Sequence, residues 1–134
     1  MPVLKSEIQP VLTENDIVYV RQNVRKWCLE LKCSLVDQTK VVTAASELAR
    51  NLLIYGGGGE VHLELVQEGV RNGLRIAFVD EGPGIPDIEQ ALKDGFTSGK
   101  GMGLGLGGAR RLVNDFHIES EVGKGTRITI TKWR

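Results

Sequence analysis

The chain has 134 residues, 41% hydrophobic and 25% charged, with 17 basic side chains set against 17 acidic ones. Such a length suits one domain with a real core, residues 1–134 forming a single unit. The zero formal charge gives no global basic field to argue for nucleic acid or a membrane surface, so neither partner is expected. No apolar run approaches a membrane span and "MPVLKSEIQPVLTEND" lacks a secretory pattern, which predicts a cytoplasmic protein.

Residues 3–11 read as an extended segment bracketed by Pro2 and Pro10. Thr13, with Asp16 three residues on, forms a capping-box-like helix start. Ile17, Val20, Val24, Trp27 or Cys28, and Leu31 then recur at helical spacing and give one apolar stripe. Cys28 and Cys33 stand five apart in this apparent helix, a spacing that predicts different faces, no disulfide and two buried or half-buried thiols. His62 and His117 show no ligand spacing that would complete a zinc site.

A second helix is predicted from about Val36 to Tyr55, with Val41, Ala45, Leu48, Leu52 and Tyr55 buried and "GGGG" at Gly56–Gly59 ending it. The period then changes to two. Val61, Leu63 and Leu65 alternate with polar neighbours, Asn72-Gly73 signals a hairpin, and Leu74, Ile76 and Phe78 form the next inward set. "LGGARRLVNDF" reads as a third helix, and "HIESEVGKGTRITITKW" as two strands around Gly123-Lys124-Gly125 with Ile128 and Ile130 facing in. The order predicts an α+β fold, with helices on one face of a largely antiparallel sheet. The connection from Asp80 to the third helix is too long to be mere linkage, which points to function.

Gly103, Gly105 and Gly108 satisfy G-x-G-x-x-G, but "DGFTSGKGM" before them is no strand, so a dinucleotide fingerprint is rejected. Lys100 and Lys124 are each followed by Gly, which rejects a Walker A loop. What remains, "GKGMGLGLGG" feeding a helix, is either a phosphate cradle with Lys100 as a mobile cation or a plain surface loop. Asp80, at a strand end before "EGPGI", either accepts a hydrogen bond from an exocyclic amino group or caps a turn. In the first case Gly82 and Gly84 leave room for a flat ring. Glu47 and Asn51, four apart in "SELARNLL", project from one helix face about 6 Å apart along the axis, on a face distinct from the Leu48–Leu52 stripe. They are either a solvated pair or a working one, Asn51 offering an oxygen to Mg²⁺ and Glu47 a base for a hydroxyl or water.

Together and in this order, "SELARN", "DEGPGI", "GKGMGLGL" and "GKGT" resemble the N, G1, G2 and G3 boxes of the GHKL ATPase superfamily, from about residue 13 to the end. Within it the chain resembles the small anti-sigma-factor-type serine/threonine kinases of bacterial partner-switching (stressosome-type) systems. The resemblance implies a two-layer α/β sandwich of the Bergerat type on a mixed, mainly antiparallel sheet, with Mg-ATP under a lid formed by the glycine loop. It implies that Asn51 holds Mg²⁺, Asp80 meets the adenine amino group, and Gly82 and Gly84 shape the base pocket. Gly101, Gly103 and Gly105 would approach the phosphates with Lys100 nearby, and Thr126 would lie at the adenine end. Ile85, Met102 and Leu104 complete the implied nucleotide-binding set, and Glu47 matches the proposed general base. The implied acceptor is a STAS-domain antagonist of the RsbS/RsbR type, with a PP2C-type phosphatase as a further partner. Arg110 and Arg111 face either a partner or solvent. Two other readings stay open: a nucleotide-gated binding module, and a histidine-kinase-like catalytic domain acting on a separate chain.

Overall fold

The computed structural model describes residues 2–85, 92 and 106–134. In chain order these form β1 (Val3–Val11), α1 (Glu14–Leu31), α2 (Leu35–Ile54), β2 (Gly59–Glu68), β3 (Arg71–Asp80), α3 (Leu106–Arg111), β4 (Asp115–Glu121) and β5 (Gly125–Trp133). The five strands make one sheet in the order β1-β2-β3-β5-β4. Every ladder is antiparallel, so the expected mixed sheet has no parallel pair among the described residues.

The first helix begins as its sequence predicts. Thr13 accepts a hydrogen bond from the Asp16 backbone N–H, and the Asp16 side chain accepts one back from the Thr13 N–H, satisfying two donors that the helix start leaves open. Its buried stripe is Ile17, Val20, Val24, Trp27, Cys28 and Leu31. α2 contributes Val41, Ala45, Leu48 and Leu52, joined by Val42, Ala44 and Ala49, and Tyr55 packs partly buried at its end. Both helices lie on the sheet face that carries Val61, Leu63, Leu74, Ile76, Phe78, Ile128 and Ile130, so one apolar layer is sealed between helices and strands. α3 packs on α2 through Leu106 and Ala109.

Three local expectations are corrected. The β2–β3 hairpin does not turn at Asn72-Gly73, because Glu68 pairs with Arg71 and leaves Gly69-Val70 as the two-residue loop. Gly69, at φ +61°, supplies the positive dihedral that a type II′ turn needs at its first position. Gly73 instead sits inside β3, where a Cβ would lie 2.6 Å from the Trp133 ring. The third helix stops at Arg111, and Asp115 and Phe116 already belong to β4, where Phe116 pairs with Ile130.

The cysteines are the third case. Lys32 takes a left-handed conformation (φ 63°) after α1, its N–H bonding the Leu29 carbonyl while the Cys33 N–H bonds that of Cys28. This Schellman closure reverses the chain and returns Cys33 onto Cys28, so the two thiols are hydrogen-bonded neighbours rather than residents of different faces. Both remain free thiols. Burial pushes the Cys28 thiol up to about 12, with the neighbouring Cys33 adding to the effect, and burial raises Cys33 as well. They are protonated packing groups at neutral pH.

No helix among the described residues is long and apolar enough to cross a membrane.

Candidate nucleotide site

The strand alternation that buries Leu74, Ile76 and Phe78 carries one step further to Asp80 on the same helix-facing side of the sheet. By then α2 has ended, so the strand runs out of core and a carboxylate emerges where the helix layer stops. Pairing fixes its neighbours: Gly59 lies opposite Asp80 on β2, Thr126 opposite it on β5, and Ser120 opposite Thr126 on β4. One cross-strand row thus holds a carboxylate and two hydroxyls.

Asp80 is half-buried. Its Oδ1 accepts the Gly82 N–H at 2.8 Å, and the Thr126 backbone N–H also reaches the carboxylate. Burial raises its pKa above the ordinary 3.8, and those two hydrogen bonds pull the other way. The expected turn cap is realised, one Asp80 oxygen being spent on the Gly82 N–H.

The glycines here are required by the protein's own close approaches. A Cβ on Gly56 would lie 2.5 Å from the Asp80 carboxyl carbon, and one on Gly82 would lie 2.8 Å from the Gly56 Cα. Gly56 in turn donates its N–H to the Asn51 carbonyl at 3.2 Å, so the end of α2, Gly56 and Asp80 form one packed unit. Gly84 has φ +80° and its missing Cβ would strike the Glu121 carbonyl; Gly125, at φ +98°, would likewise strike the Asp80 carbonyl. The loop after β3 is clamped on the β4–β5 turn: Gly123 N–H donates to the Pro83 carbonyl at 2.9 Å and Ile85 N–H to Ser120 Oγ at 2.8 Å. Room for a flat ring is therefore not what these glycines visibly supply. Gly56→Ala is expected to push Asp80 aside, weakening nucleotide affinity about tenfold with a smaller fall in melting temperature, as calorimetry and a thermal melt would show.

On α2 the two polar residues part company. Glu47 is exposed, whereas Asn51 is buried at 9% exposure, between Leu48 and Leu52 of the core stripe. The separate polar face expected for the pair is corrected to a boundary, with Glu47 exposed and Asn51 buried. Arg50 is half-buried, and Arg110 and Arg111 are exposed on α3. Thr126 is buried at 8% exposure and Ile85 packs partly buried against the core. Lys100, Gly101, Met102, Gly103, Leu104 and Gly105 lie outside the described residues.

Sequence reasoning missed Gly56 and Ser120. Gly56 was visible only as part of a helix-ending run, because its contact with Asp80 is made across more than twenty residues of chain. Ser120 had a usable signal, since it continues the inward period of Phe116 and Ile118 toward the Gly123–Gly125 turn.

The profile of the histidine kinase-, DNA gyrase B- and HSP90-like ATPase family matches residues 36–134. The chain belongs to that ATPase family. Within the family it is 45% identical over 123 residues to the serine/threonine-protein kinase RsbT of Bacillus subtilis, covering 92% of each chain. It is 31% identical over 134 residues to the anti-sigma F factor of Clostridium acetobutylicum, covering 96% of this chain and 92% of the relative. On the strength of the first likeness, this ATPase-family member is a protein serine/threonine kinase. Among solved structures, the RsbU and RsbW domains of a Mycobacterium tuberculosis protein superpose with a TM-score of 0.63 at 21% identity. That match covers 97% of this chain, which spans only 33% of the solved one. The catalytic domain of the histidine kinase ThkA superposes with a TM-score of 0.53 at 16% identity, covering 94% of this chain and 95% of that one. These likenesses show the family's α+β fold.

Proposed function

We propose that the chain transfers the γ-phosphoryl group of Mg-ATP to a serine or threonine of a STAS-domain antagonist, of the RsbS/RsbR type, within a bacterial partner-switching module. The observation that carries the nucleotide half is the row at the end of β3, where Asp80 is held by the Gly82 and Thr126 N–H groups against Gly56. A half-buried carboxylate fixed in this way is an acceptor suited to an exocyclic amino group. The acceptor half is supported by the relative named as a serine/threonine kinase. A PP2C-type phosphatase is the further partner proposed, and the bacterial cytoplasm the compartment.

In this reading Asp80 orients the adenine, Gly82, Gly84, Ile85 and Thr126 form its surroundings, and the 101–105 stretch with Lys100, Met102 and Leu104 serves the phosphates. The donor chemistry of Asn51 fits Mg²⁺, a hard cation that binds amide oxygens. No group of three His, Cys, Asp or Glu suited to a metal occurs among the described residues, so phosphate oxygens and water would complete the coordination. When bound, the ion would neutralise charge on the triphosphate. Glu47, exposed one turn before Asn51, is open to an acceptor hydroxyl and takes its proton as general base. Everything else is positioning.

The metal assignment is tested by titrating ATP into the wild type and Asn51→Ala, with and without Mg²⁺, in a calorimeter. The wild type is expected to bind about tenfold or more tightly with Mg²⁺ present, and the variant to lose that difference. An unchanged Mg²⁺ dependence would remove Asn51 from the role.

A further inference from the structure

Ser120 belongs to none of the boxes that carry the family resemblance, yet three hydrogen bonds meet on its hydroxyl. Ile85 N–H donates to Oγ at 2.8 Å, the Gly125 carbonyl accepts from it at 3.2 Å, and Thr126 Oγ1 stands 2.8 Å away. A serine hydroxyl has one proton and two acceptor sites. The Ile85 N–H can only donate, so it fills one acceptor site. The Gly125 carbonyl can only accept, so it takes the proton. All three contacts are then satisfied together in a single way, with Thr126 giving its own proton to Ser120.

We infer that Ser120 is a positioning residue that sets base selectivity by turning the Thr126 hydroxyl proton away from Asp80. The inference rests on the proposal that the purine sits against Asp80. With that proton committed, Thr126 Oγ1 and the Asp80 carboxylate, opposite each other in the row, act as acceptors only. Such an edge takes a 6-amino purine, which offers N–H donors. It disfavours a 6-oxo purine, whose O6 carbonyl meets acceptors at the position where the 6-amino group donates and whose one edge N–H is moved to N1. Without the Ser120 hydroxyl, Thr126 is free to rotate and donate to that carbonyl. Selectivity for adenine over a 6-oxo base is thereby controlled from β4, by a side chain one strand beyond the residue it directs.

The test compares ATP with inosine triphosphate, whose base carries a 6-oxo group in place of the 6-amino group, by displacement titration of the full chain. The wild type is expected to prefer ATP strongly. Ser120→Ala is expected to narrow the ATP-to-inosine ratio about tenfold, the size of one hydrogen bond, and Ser120→Thr to restore it. Ser120→Cys fills the same space with a weak hydrogen-bonding group and is expected to behave like the alanine variant, which covers the case in which alanine does not fold. A variant that weakens both nucleotides equally, leaving the ratio unchanged, would reduce Ser120 to a packing role and overturn the inference. Wild-type protein that binds neither nucleotide would instead overturn the underlying nucleotide reading, and needs no variant to be seen.

Discussion

Glu47→Gln is expected to slow phosphoryl transfer by about 10²–10⁴-fold while ATP affinity stays within a few-fold of wild type. The substitution keeps side-chain volume and helix propensity and removes only the capacity to take a proton. Glu47 is exposed on α2, so its loss leaves no cavity and disturbs no buried partner. That exposure also suits a protein substrate, whose hydroxyl must reach the base from outside, whereas a base sealed in the core would be out of reach. Single-turnover transfer measured beside calorimetric ATP binding separates the two effects. Undiminished transfer would end the general-base assignment, and a parallel loss of ATP binding would mean that Glu47 belongs to the nucleotide site instead.

Asp80→Asn should act in the opposite sense on stability and on function. Removing the charge is expected to weaken ATP binding by roughly 1.5–3 kcal/mol, the range for a hydrogen bond to a charged group. The same change should raise the melting temperature of the nucleotide-free protein at pH 7. Burial is the main influence on this carboxyl and raises its pKa, so the folded state holds the proton more tightly than the unfolded chain. Folded stability therefore falls as pH climbs from 3.8 through the raised native value and stays at the lower level above it. The variant escapes that penalty. Its advantage should be present at pH 7 and vanish below the ordinary carboxylate range, where wild-type Asp80 is neutral too. A variant less stable than wild type at pH 7 would show that the Gly82 and Thr126 hydrogen bonds outweigh desolvation. A site retained at a cost in stability is common where a charge must wait in a half-buried pocket for its ligand.

The sequence made the layers legible because periodicity is a local signal. The α1 stripe, the capping box at Thr13 and the inward set Leu74–Ile76–Phe78 all appear where their spacing places them. Asp80 stands at the end of its strand as the sequence suggests, and both it and Ser120 continue the inward period of their strands. Features that depend on chain reversal were harder to read. The Schellman turn that folds Cys33 onto Cys28 is set by a left-handed lysine, not by the glycine that usually announces it. The spacing predicts the β2–β3 turn at Asn72-Gly73, whereas Trp133 from β5 occupies the space beside Gly73 and the Gly69-Val70 loop sets Leu74 opposite Leu65. Asn51 reads as a surface residue from helical spacing alone, which places it beside Glu47 and does not show its burial.

The site's supporting contacts were the least visible, since they join segments far apart in sequence. Gly56 meets Asp80, Gly84 meets Glu121, and Ile85 meets Ser120 only after β3, β4 and β5 are in register. A glycine in a box motif reads as space for a ligand, yet at Gly82, Gly84 and Gly125 the closest atoms to the missing side chain are the protein's own backbone. Gly56, Gly82 and Gly125 stand where the end of α2 and the neighbouring loops come within contact distance of Asp80.

The most direct test is intact-mass spectrometry of a co-encoded STAS-domain protein after incubation with this chain and Mg-ATP. One added phosphate per acceptor that survives acid treatment is the predicted result, because phosphoserine and phosphothreonine withstand acid and phosphohistidine does not. An acceptor that gains no mass while the chain binds ATP, or a phosphate lost in acid, would contradict the proposed serine/threonine transfer.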